Sequence, residues 1–130
     1  MKKALLYIFA VSLLLVSCNK TDQAILFYGN TCPHCKELEE NFAKLGVDKK
    51  FQYEKKEVYN DKANANLLGA KAGYCGLNTN SIGVPFLYAQ GKCFVGVPDI
   101  EKYVSEKTGI IFEASGSAKQ ASGSGNLINE

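Results

Sequence analysis

The pattern of apolar and polar positions divides the middle of the chain into short blocks that predict alternating strands and helices. Positions 24–28 are apolar throughout, which is typical of a strand covered on both faces. Over about positions 32–45, apolar residues instead recur every three or four places, which predicts an amphipathic helix that ends at Gly46. The apolar stripe of this helix comprises Cys35, Leu38, Phe42 and Leu45.

The following block predicts a second strand and a second helix. Positions 51–59 alternate loosely around a charged middle and predict a strand. Asn60 and Asp61 are suitable caps for a helix over about positions 62–72, because their side chains accept hydrogen bonds from the free N–H groups at a helix start. We expect Gly73 to end this helix. The positions expected to face inward are Ala63, Leu67 and Ala70.

After a loop rich in Gly, Asn, Ser and Thr, two further apolar runs predict an antiparallel hairpin. They cover positions 84–88 and 92–95, with a turn at 89–91. We expect Asp99 to cap a last helix, which ends before Gly109. Its inward stripe comprises Ile100, Tyr103, Val104 and Lys107. The predicted order of elements is β-α-β-α-β-β-α, an α/β fold.

The two ends of the chain differ from the middle. Residues 1–17 combine a basic start with an apolar run that is too short to span a bilayer, which predicts an export signal. Residues 18–23 form a short polar tether. In residues 113–130 Ser and Gly predominate, so this segment buries too little apolar surface to offset its ordering entropy, and we expect a disordered tail. The folded domain is predicted to cover residues 24–112.

Composition and charge limit the classes of partner. A chain of 130 residues, 46% of them hydrophobic, has room for one core. The formal charge of +2 is carried by Lys2 and Lys3, and the remaining 13 Lys balance the 13 acidic residues. The chain has no Arg and no Gly-rich phosphate loop. The planar guanidinium group of Arg commonly binds phosphate and guanine through paired hydrogen bonds. We therefore expect no nucleic-acid partner.

The candidate chemistry lies in Cys32-Pro33-His34-Cys35, where the first strand turns into the first helix. Unpaired N–H groups and the positive dipole end of a helix start favour a thiolate over a thiol. Pro33 suits a first helical turn, and a protonated His34 adds positive charge beside the sulfur. We expect Cys32 to be the exposed nucleophile and Cys35 to be the resolving thiol.

Three other interpretations of this motif compete with redox catalysis. Zinc requires four ligands at recurring spacings, whereas the single His of the chain lies inside the motif, so no metal and no cofactor are predicted. A haem attachment would need His directly after the second Cys, where Lys36 stands. A structural disulfide without turnover is a further alternative. The order strand, motif and amphipathic helix favours redox catalysis.

A second motif, Leu15-Val16-Ser17-Cys18, resembles the lipobox of bacterial lipoproteins, in which the Cys is acylated and becomes the new amino terminus. This resemblance implies that Cys18 carries a lipid. The protein would then be an extracytoplasmic, membrane-anchored lipoprotein on the periplasmic side or the outer cell face. The alternative is an ordinary cleaved signal in which Cys18 is incidental. In both cases the domain reaches a compartment where disulfides persist.

Cys75 and Cys93 are the remaining cysteines. If Cys18 is acylated and Cys32 pairs with Cys35, the only other possible pairing is between Cys75 and Cys93. The alternative is that both are small buried hydrophobic residues, as free cysteines often are.

Together with Gly83-Val84-Pro85 at the start of the third strand, the stretch from Phe27-Tyr28-Gly29 to Cys35 resembles the thioredoxin superfamily over about residues 24–110. The resemblance implies a thioredoxin-like fold, with a four-stranded mixed sheet and helices on both faces. It also implies a cis Pro85 facing the cysteine pair. The backbone of Val84 would then be free to pair with an extended substrate segment.

Different features of the chain resemble different members of that superfamily. The dipeptide Pro33-His34 is similar to that of Dsb-type periplasmic oxidases, whereas the compact layout looks more like a glutaredoxin or a small thioredoxin-like protein. Thioredoxins and Dsb-type oxidases carry a buried acid six residues before the first Cys, and Leu26 occupies that place here. Glu57, on the second strand, is the substitute candidate for a proton acceptor of Cys35.

The resemblance implies a membrane-anchored thiol-disulfide oxidoreductase that oxidises or exchanges disulfides through Cys32 and Cys35. Its partners would be the thiols and disulfides of exported proteins and a membrane redox partner. Two alternatives stay open. One is a thiol-disulfide reductase fed by a membrane electron donor, and the other is a non-catalytic thioredoxin-like binding module. A stabilised Cys32 thiolate favours the oxidising direction.

Overall fold

The structure, a computed structural model, describes residues 23–113 and has an α/β fold with one four-stranded mixed sheet. Its strands are β1 (Ala24–Tyr28), β2 (Tyr53–Glu57), β3 (Phe86–Ala89) and β4 (Lys92–Val95). Its helices are α1 (Pro33–Leu45), α2 (Lys62–Tyr74) and α3 (Val97–Thr108), with a 3-10 turn at Val47–Lys49. The order of strands and α-helices is the predicted one. The predicted signal at 1–17, the predicted lipid site at Cys18, most of the predicted tether and nearly all of the predicted tail lie outside the described residues.

The strands lie in the order β2-β1-β3-β4. β1 and β2 are parallel, and β3 pairs antiparallel with both β1 and β4. Because parallel strands end at the same edge, the Cys motif after β1 and the loop after β2 meet there. We call this edge of the sheet the motif edge.

Each face of the sheet has its own apolar core, since successive side chains of a strand point to opposite faces. Leu26 and Leu87 belong to one core, and Phe27 and Phe86 belong to the other. The first core receives α1 and α3 through Leu38, Phe42, Val97, Ile100, Tyr103 and Val104. The second core receives α2 through Leu68 and Ala72. Helices therefore cover both faces, as predicted.

The first helix follows its sequence pattern except at its end. Gly46 adopts a left-handed conformation with φ 65° and ends α1, as expected. Leu45, however, is 37% exposed, so its place in the inward stripe was wrong. The 3-10 turn after Gly46 instead brings Val47 into the core, where it is fully buried. The buried members of the predicted stripe are Cys35, Leu38 and Phe42.

The second helix begins as predicted but presents a different face. The Asp61 carboxylate caps it by accepting a hydrogen bond from the Asn64 N–H at 3.0 Å. Gly73 does not end the helix, which continues to Tyr74. The predicted inward set was wrong: Ala63 and Ala70 are exposed and Leu67 is half-buried, whereas the buried residues are Leu68 and Ala72. Small and apolar residues occur all around this helix, so their pattern did not define one face.

Two other boundaries differ from expectation. The second strand is shorter than predicted because Phe51 and Gln52 precede it and the chain turns after Glu57. The last helix starts two residues before Asp99, with Gly96 as its N-cap and no side-chain cap. The Gly96 N–H donates to the Pro85 carbonyl at 2.9 Å, which turns the chain into the helix earlier. Its end at Gly109, with φ 71°, is confirmed.

Lys107, which was placed on the inward stripe of α3, is exposed. The buried polar residue of this helix is Glu101, whose carboxylate accepts a hydrogen bond of 2.7 Å from the side-chain amide of Asn41 on α1. Burial raises the pKa of Glu101, and the hydrogen bond from Asn41 partly offsets that effect. This bond joins two helices that pack on the same face of the sheet.

Candidate functional site

The candidate site lies at the motif edge, where a tight turn joins β1 to α1. The Cys32 N–H donates to the Gly29 carbonyl at 3.1 Å, which closes this turn. Cys32 is the N-cap of α1, and its sulfur accepts a hydrogen bond of 3.2 Å from the Cys35 N–H. Pro33 occupies the first helical turn, as expected. The Cys32 sulfur therefore lies where a helix start favours negative charge.

The two cysteines of the motif lie side by side as thiols. Their Sγ atoms are 2.6 Å apart, with the Cys35 thiol donating to the Cys32 sulfur. The Cys32 thiol donates in turn to the Val84 carbonyl at 3.5 Å. The expectation of an exposed Cys32 was wrong, since it is only 7% exposed. The Val84 carbonyl contacts its sulfur, and the charge of this sulfur acts on a tyrosine from the loop after β2, Tyr59.

Cys35 is held in its protonated form. Burial raises the pKa of the Cys35 thiol to about 12, and the hydrogen bond with Cys32 acts in the same direction. The negative charges of Cys32 and Glu39 add smaller increases. Cys35 is 2% exposed, so solvent does little to stabilise the charged form of its thiol. Negative charge in the pair therefore belongs on Cys32, and Cys35 needs a proton acceptor before it can attack.

The Val84-Pro85 peptide bond is cis, which confirms that prediction. The segment lies directly before β3, and the Val84 carbonyl reaches the Cys32 sulfur. The structure thus brings Val84 and Pro85 together with the cysteine pair, although they are about 50 positions away in the sequence.

His34 stands apart from this cluster. Its side chain is 76% exposed, and its Nδ1 lies 3.7 Å from a carboxylate oxygen of Glu37. Any positive charge on His34 is therefore shared between this carboxylate and solvent. This arrangement weakens the contribution to the Cys32 thiolate that the sequence suggested.

Glu57 has a different role from the one expected. Its carboxylate accepts hydrogen bonds from the N–H groups of Tyr59 at 2.8 Å, Asn60 at 2.9 Å and Asn30 at 3.4 Å. The Asn60 bond is the main reason that the pKa of Glu57 lies below its usual value. A carboxylate with its lone pairs engaged in this way is a poor base for Cys35. It instead joins the loop after β2 to the loop after β1.

Glu39 on α1 is a nearer acid that the sequence reasoning missed. Its charge acts on Cys35, which precedes it by one helical turn. Its Oε1 atom is buried, and the ammonium group of Lys55 lies 2.7 Å from it, although the pair lacks the angles of a hydrogen bond. In the sequence Glu39 is one of three glutamates on α1, and only the position of Lys55 on β2 distinguishes it.

Tyr59 is the second residue that sequence reasoning missed as part of the site. Its ring lies against Gly29, and its hydroxyl lies within electrostatic reach of the Cys32 sulfur. Partial burial raises the pKa of Tyr59, and the negative charges of Cys32 and Cys35 act in the same direction. The pairing of a Gly before the motif with an aromatic residue after the second strand was the available signal.

Cys75 and Cys93 form a disulfide with a Cα separation of 6.2 Å, which confirms the predicted pairing. It joins the C-terminal end of α2 to β4. Cys93 pairs with Tyr88, near the hairpin turn, whereas Phe86 and Pro85 lie toward the motif edge. This disulfide is therefore remote from the Cys32 sulfur and has a structural role.

Within residues 23–113, no three His, Cys, Asp or Glu side chains are grouped so that they could hold a metal ion. None of the helices in that range is both long and apolar enough to cross a membrane. A scan against models of protein families finds no match to the chain, and a search of curated proteins finds none either.

Proposed function

We propose that the chain is a thiol-disulfide oxidoreductase of the thioredoxin superfamily, with Cys32 as nucleophile and Cys35 as resolving cysteine. The observation that carries the proposal is the asymmetry of the pair. The Cys32 sulfur accepts hydrogen bonds from the N–H and the thiol of Cys35, whereas burial keeps Cys35 protonated. One stabilised thiolate beside one retained thiol suits disulfide exchange. The strand order β2-β1-β3-β4 and the cis Pro85 support a thioredoxin-like fold.

The exchange has two steps in the oxidising direction. A substrate thiolate attacks the Cys32 sulfur of a Cys32–Cys35 disulfide, which joins substrate to Cys32 and leaves the electron pair on Cys35, which takes up a proton. A second substrate thiolate then attacks the substrate sulfur, which forms the substrate disulfide and releases the Cys32 thiolate. The substrate loses two electrons, and the cysteine pair holds them until another disulfide reoxidises it. Reduction of a substrate uses the same atoms in reverse.

The oxidising direction is the one that the surroundings of Cys32 favour. Each hydrogen bond donated to the Cys32 sulfur stabilises the reduced form, since the disulfide has no thiolate to receive it. A dithiol with a more stable reduced form is a stronger oxidant when it is oxidised. We therefore propose that the protein oxidises or exchanges disulfides in exported proteins and is itself reoxidised by a membrane redox partner.

We further propose that the protein is an extracytoplasmic lipoprotein anchored through Cys18. The Leu15-Val16-Ser17-Cys18 sequence supports the anchor, and the Cys75–Cys93 disulfide supports a compartment in which disulfides persist.

Trapping a reaction intermediate tests the exchange activity. In a Cys35→Ser variant, the Cys32 thiolate should attack a disulfide of a substrate protein, release one substrate thiolate and stay joined to the other sulfur as a mixed disulfide. This adduct should accumulate, because the Cys35 thiol that would resolve it is missing. Cys32→Ser should abolish both this adduct and oxidative refolding of the substrate. A Cys75→Ala/Cys93→Ala variant serves as the matched control and should retain activity at a temperature where it is folded. Unchanged refolding activity in Cys32→Ser would refute the proposed function.

A further inference from the structure

Tyr59 reaches the site because the loop after β2 is fixed to the loop after β1. The Glu57 carboxylate accepts hydrogen bonds from Tyr59 and Asn60 in one loop and from Asn30 in the other. All three donors are backbone N–H groups, so the Glu57 side chain alone holds the two loops together. The position of Tyr59 relative to the cysteine motif thereby depends on this carboxylate.

The ring of Tyr59 lies directly on Gly29. A Cβ atom at position 29 would overlap Cε2 and Cζ of the ring, so only glycine leaves room for it. The Gly29 carbonyl also accepts the Cys32 N–H, so the residue under the ring is the one that starts the turn into the helix. The ring is consequently held beside the reacting sulfur, although Tyr59 is 55% exposed.

Partial burial raises the pKa of the Tyr59 hydroxyl, and the negative charge of Cys32 acts in the same direction, so the hydroxyl lies within electrostatic reach of the sulfur. The sulfur accepts the Cys35 N–H at 3.2 Å and the Cys35 thiol at 2.6 Å. The Cys35 thiol is lost as a donor whenever Cys35 enters a disulfide, and the Cys35 N–H belongs to the helix backbone. The Tyr59 hydroxyl, held by its ring on Gly29, is thus a donor group beside the sulfur that comes from outside α1.

We propose that Tyr59 is a catalytic residue whose hydroxyl donates a hydrogen bond to the Cys32 thiolate, and that Glu57 and Gly29 position it. This rests on the proposed function, which makes Cys32 the attacking sulfur. A hydrogen bond to the charged form increases the fraction of thiolate at a given pH. It also favours the reduced state of the pair, so it makes the disulfide more oxidising.

Other ionisable groups border the sulfur and must stay constant in a test. On α1 these are Cys35 and the exposed His34 with its partner Glu37. Glu57 at the end of β2 and Tyr59 in the loop that follows are the others, whereas Val84 and Pro85 bring no ionisable side chain. A change confined to the Tyr59 hydroxyl leaves all the others in place.

The test is a titration of thiolate ultraviolet absorbance in the full chain, with the Cys32–Cys35 pair reduced and the Cys75–Cys93 disulfide intact. A Cys18→Ala background ensures that no thiol at position 18 contributes. Tyr59→Phe keeps the ring on Gly29 and removes only the hydroxyl. We expect its thiolate midpoint to move to higher pH by about one unit, which is tenfold in the equilibrium. Gly29→Ala displaces the ring and should move the midpoint in the same direction.

Tyr53→Phe is the matched control, because it also removes a single phenol hydroxyl, one that hydrogen-bonds Asp48 at 2.6 Å. Tyr53 begins β2 and so lies at the end of this strand away from the motif edge. Its midpoint should not move. An unchanged midpoint in Tyr59→Phe, or an equal shift in Tyr53→Phe, would overturn the proposal. A shift in Tyr59→Phe alone supports the hydrogen bond even if the wild type fails to exchange disulfides, so failure of the proposed function is detected separately.

Discussion

Two sulfur atoms 2.6 Å apart have opposite tendencies in this protein because their surroundings differ. Both are buried, but Cys32 lies at a helix start and accepts hydrogen bonds, whereas Cys35 lies one turn into the helix and donates to Cys32. Burial penalises the charged form of Cys35 most strongly, and the neighbouring charges of Cys32 and Glu39 add to this. The chemistry of the pair therefore follows from the places of the two residues in the first helical turn.

The raised pKa of Cys35 predicts a loss of stability of the reduced protein in alkali. Below about pH 9 the thiol is protonated in both the folded and the unfolded state, so it has no effect. Between about pH 9 and 12 only the unfolded state releases the proton, so the free energy of unfolding falls as pH rises. The slope approaches about 1.4 kcal/mol per pH unit in this window. Denaturant unfolding of the reduced protein at several pH values measures it.

Cys35→Ala is the control for this prediction, because it removes the thiol and leaves Cys32 and the tyrosines in place. The reduced wild type should lose stability relative to this variant as pH increases above about 9. Parallel stability curves for the two proteins would show that Cys35 is not held in its protonated form.

Sequence reasoning identified the residues of the site that belong to a short motif and missed those that long-range packing brings in. The spacing of Cys32 and Cys35 identifies them as a candidate redox pair, and the resemblance to the thioredoxin superfamily predicts the cis Pro85. Tyr59 and Glu39 do not, because each becomes relevant only through a partner on another element, Gly29 and Lys55 respectively. For Glu57, the sequence does not show that backbone N–H groups occupy its carboxylate, which makes it a poorer candidate for the proton acceptor of Cys35.

At the scale of elements, the buried face was easier to predict for a helix with one apolar stripe than for a helix with apolar residues all around it. The charged residues of α1 confine its apolar side chains to one stripe, so its buried face was largely correct. In α2 small and apolar residues surround the axis, and the contacts with β1 and β3 select Leu68 and Ala72. The 3-10 turn that buries Val47 had no signal of its own, because it depends on where α1 ends.

The disulfide between Cys75 and Cys93 should stabilise the domain mainly by restricting the unfolded chain. It links positions that are 18 residues apart, and closing a loop of that size is worth about 3 kcal/mol. Cys75→Ala/Cys93→Ala should therefore lower the free energy of unfolding by roughly this amount. Urea unfolding of the variant and the wild type, with Cys32 and Cys35 in the same redox state, measures the difference. Equal stabilities would contradict a structural role for this bond.

At the scale of the whole molecule, the chain enters the fold at the edge of the sheet opposite the site. Gln23 precedes β1, and the Cys motif follows its other end, about 17 Å away along five strand residues. The proposed anchor at Cys18 therefore precedes, in the sequence, the end of β1 that lies away from the cysteine pair.

The anchor itself is testable by one substitution. Cys18→Ala should give an unprocessed or soluble protein. Stable anchoring requires more than one acyl chain, and the acylated amino terminus at Cys18 would carry them. Membrane fractionation of cells that express the two proteins measures the effect. Normal processing together with unchanged membrane retention in the variant would exclude Cys18 as the anchor.

The central claim is that Cys32 and Cys35 form an oxidising redox pair, and a glutathione redox titration of the chain tests it most directly. The Cys32–Cys35 pair is followed by thiol trapping, with the Cys75–Cys93 disulfide intact. We predict a single two-electron transition at roughly −120 to −200 mV, toward the oxidising end of the range for such proteins. A potential near the thioredoxin value of about −270 mV, or no reversible transition of the pair, would contradict the account.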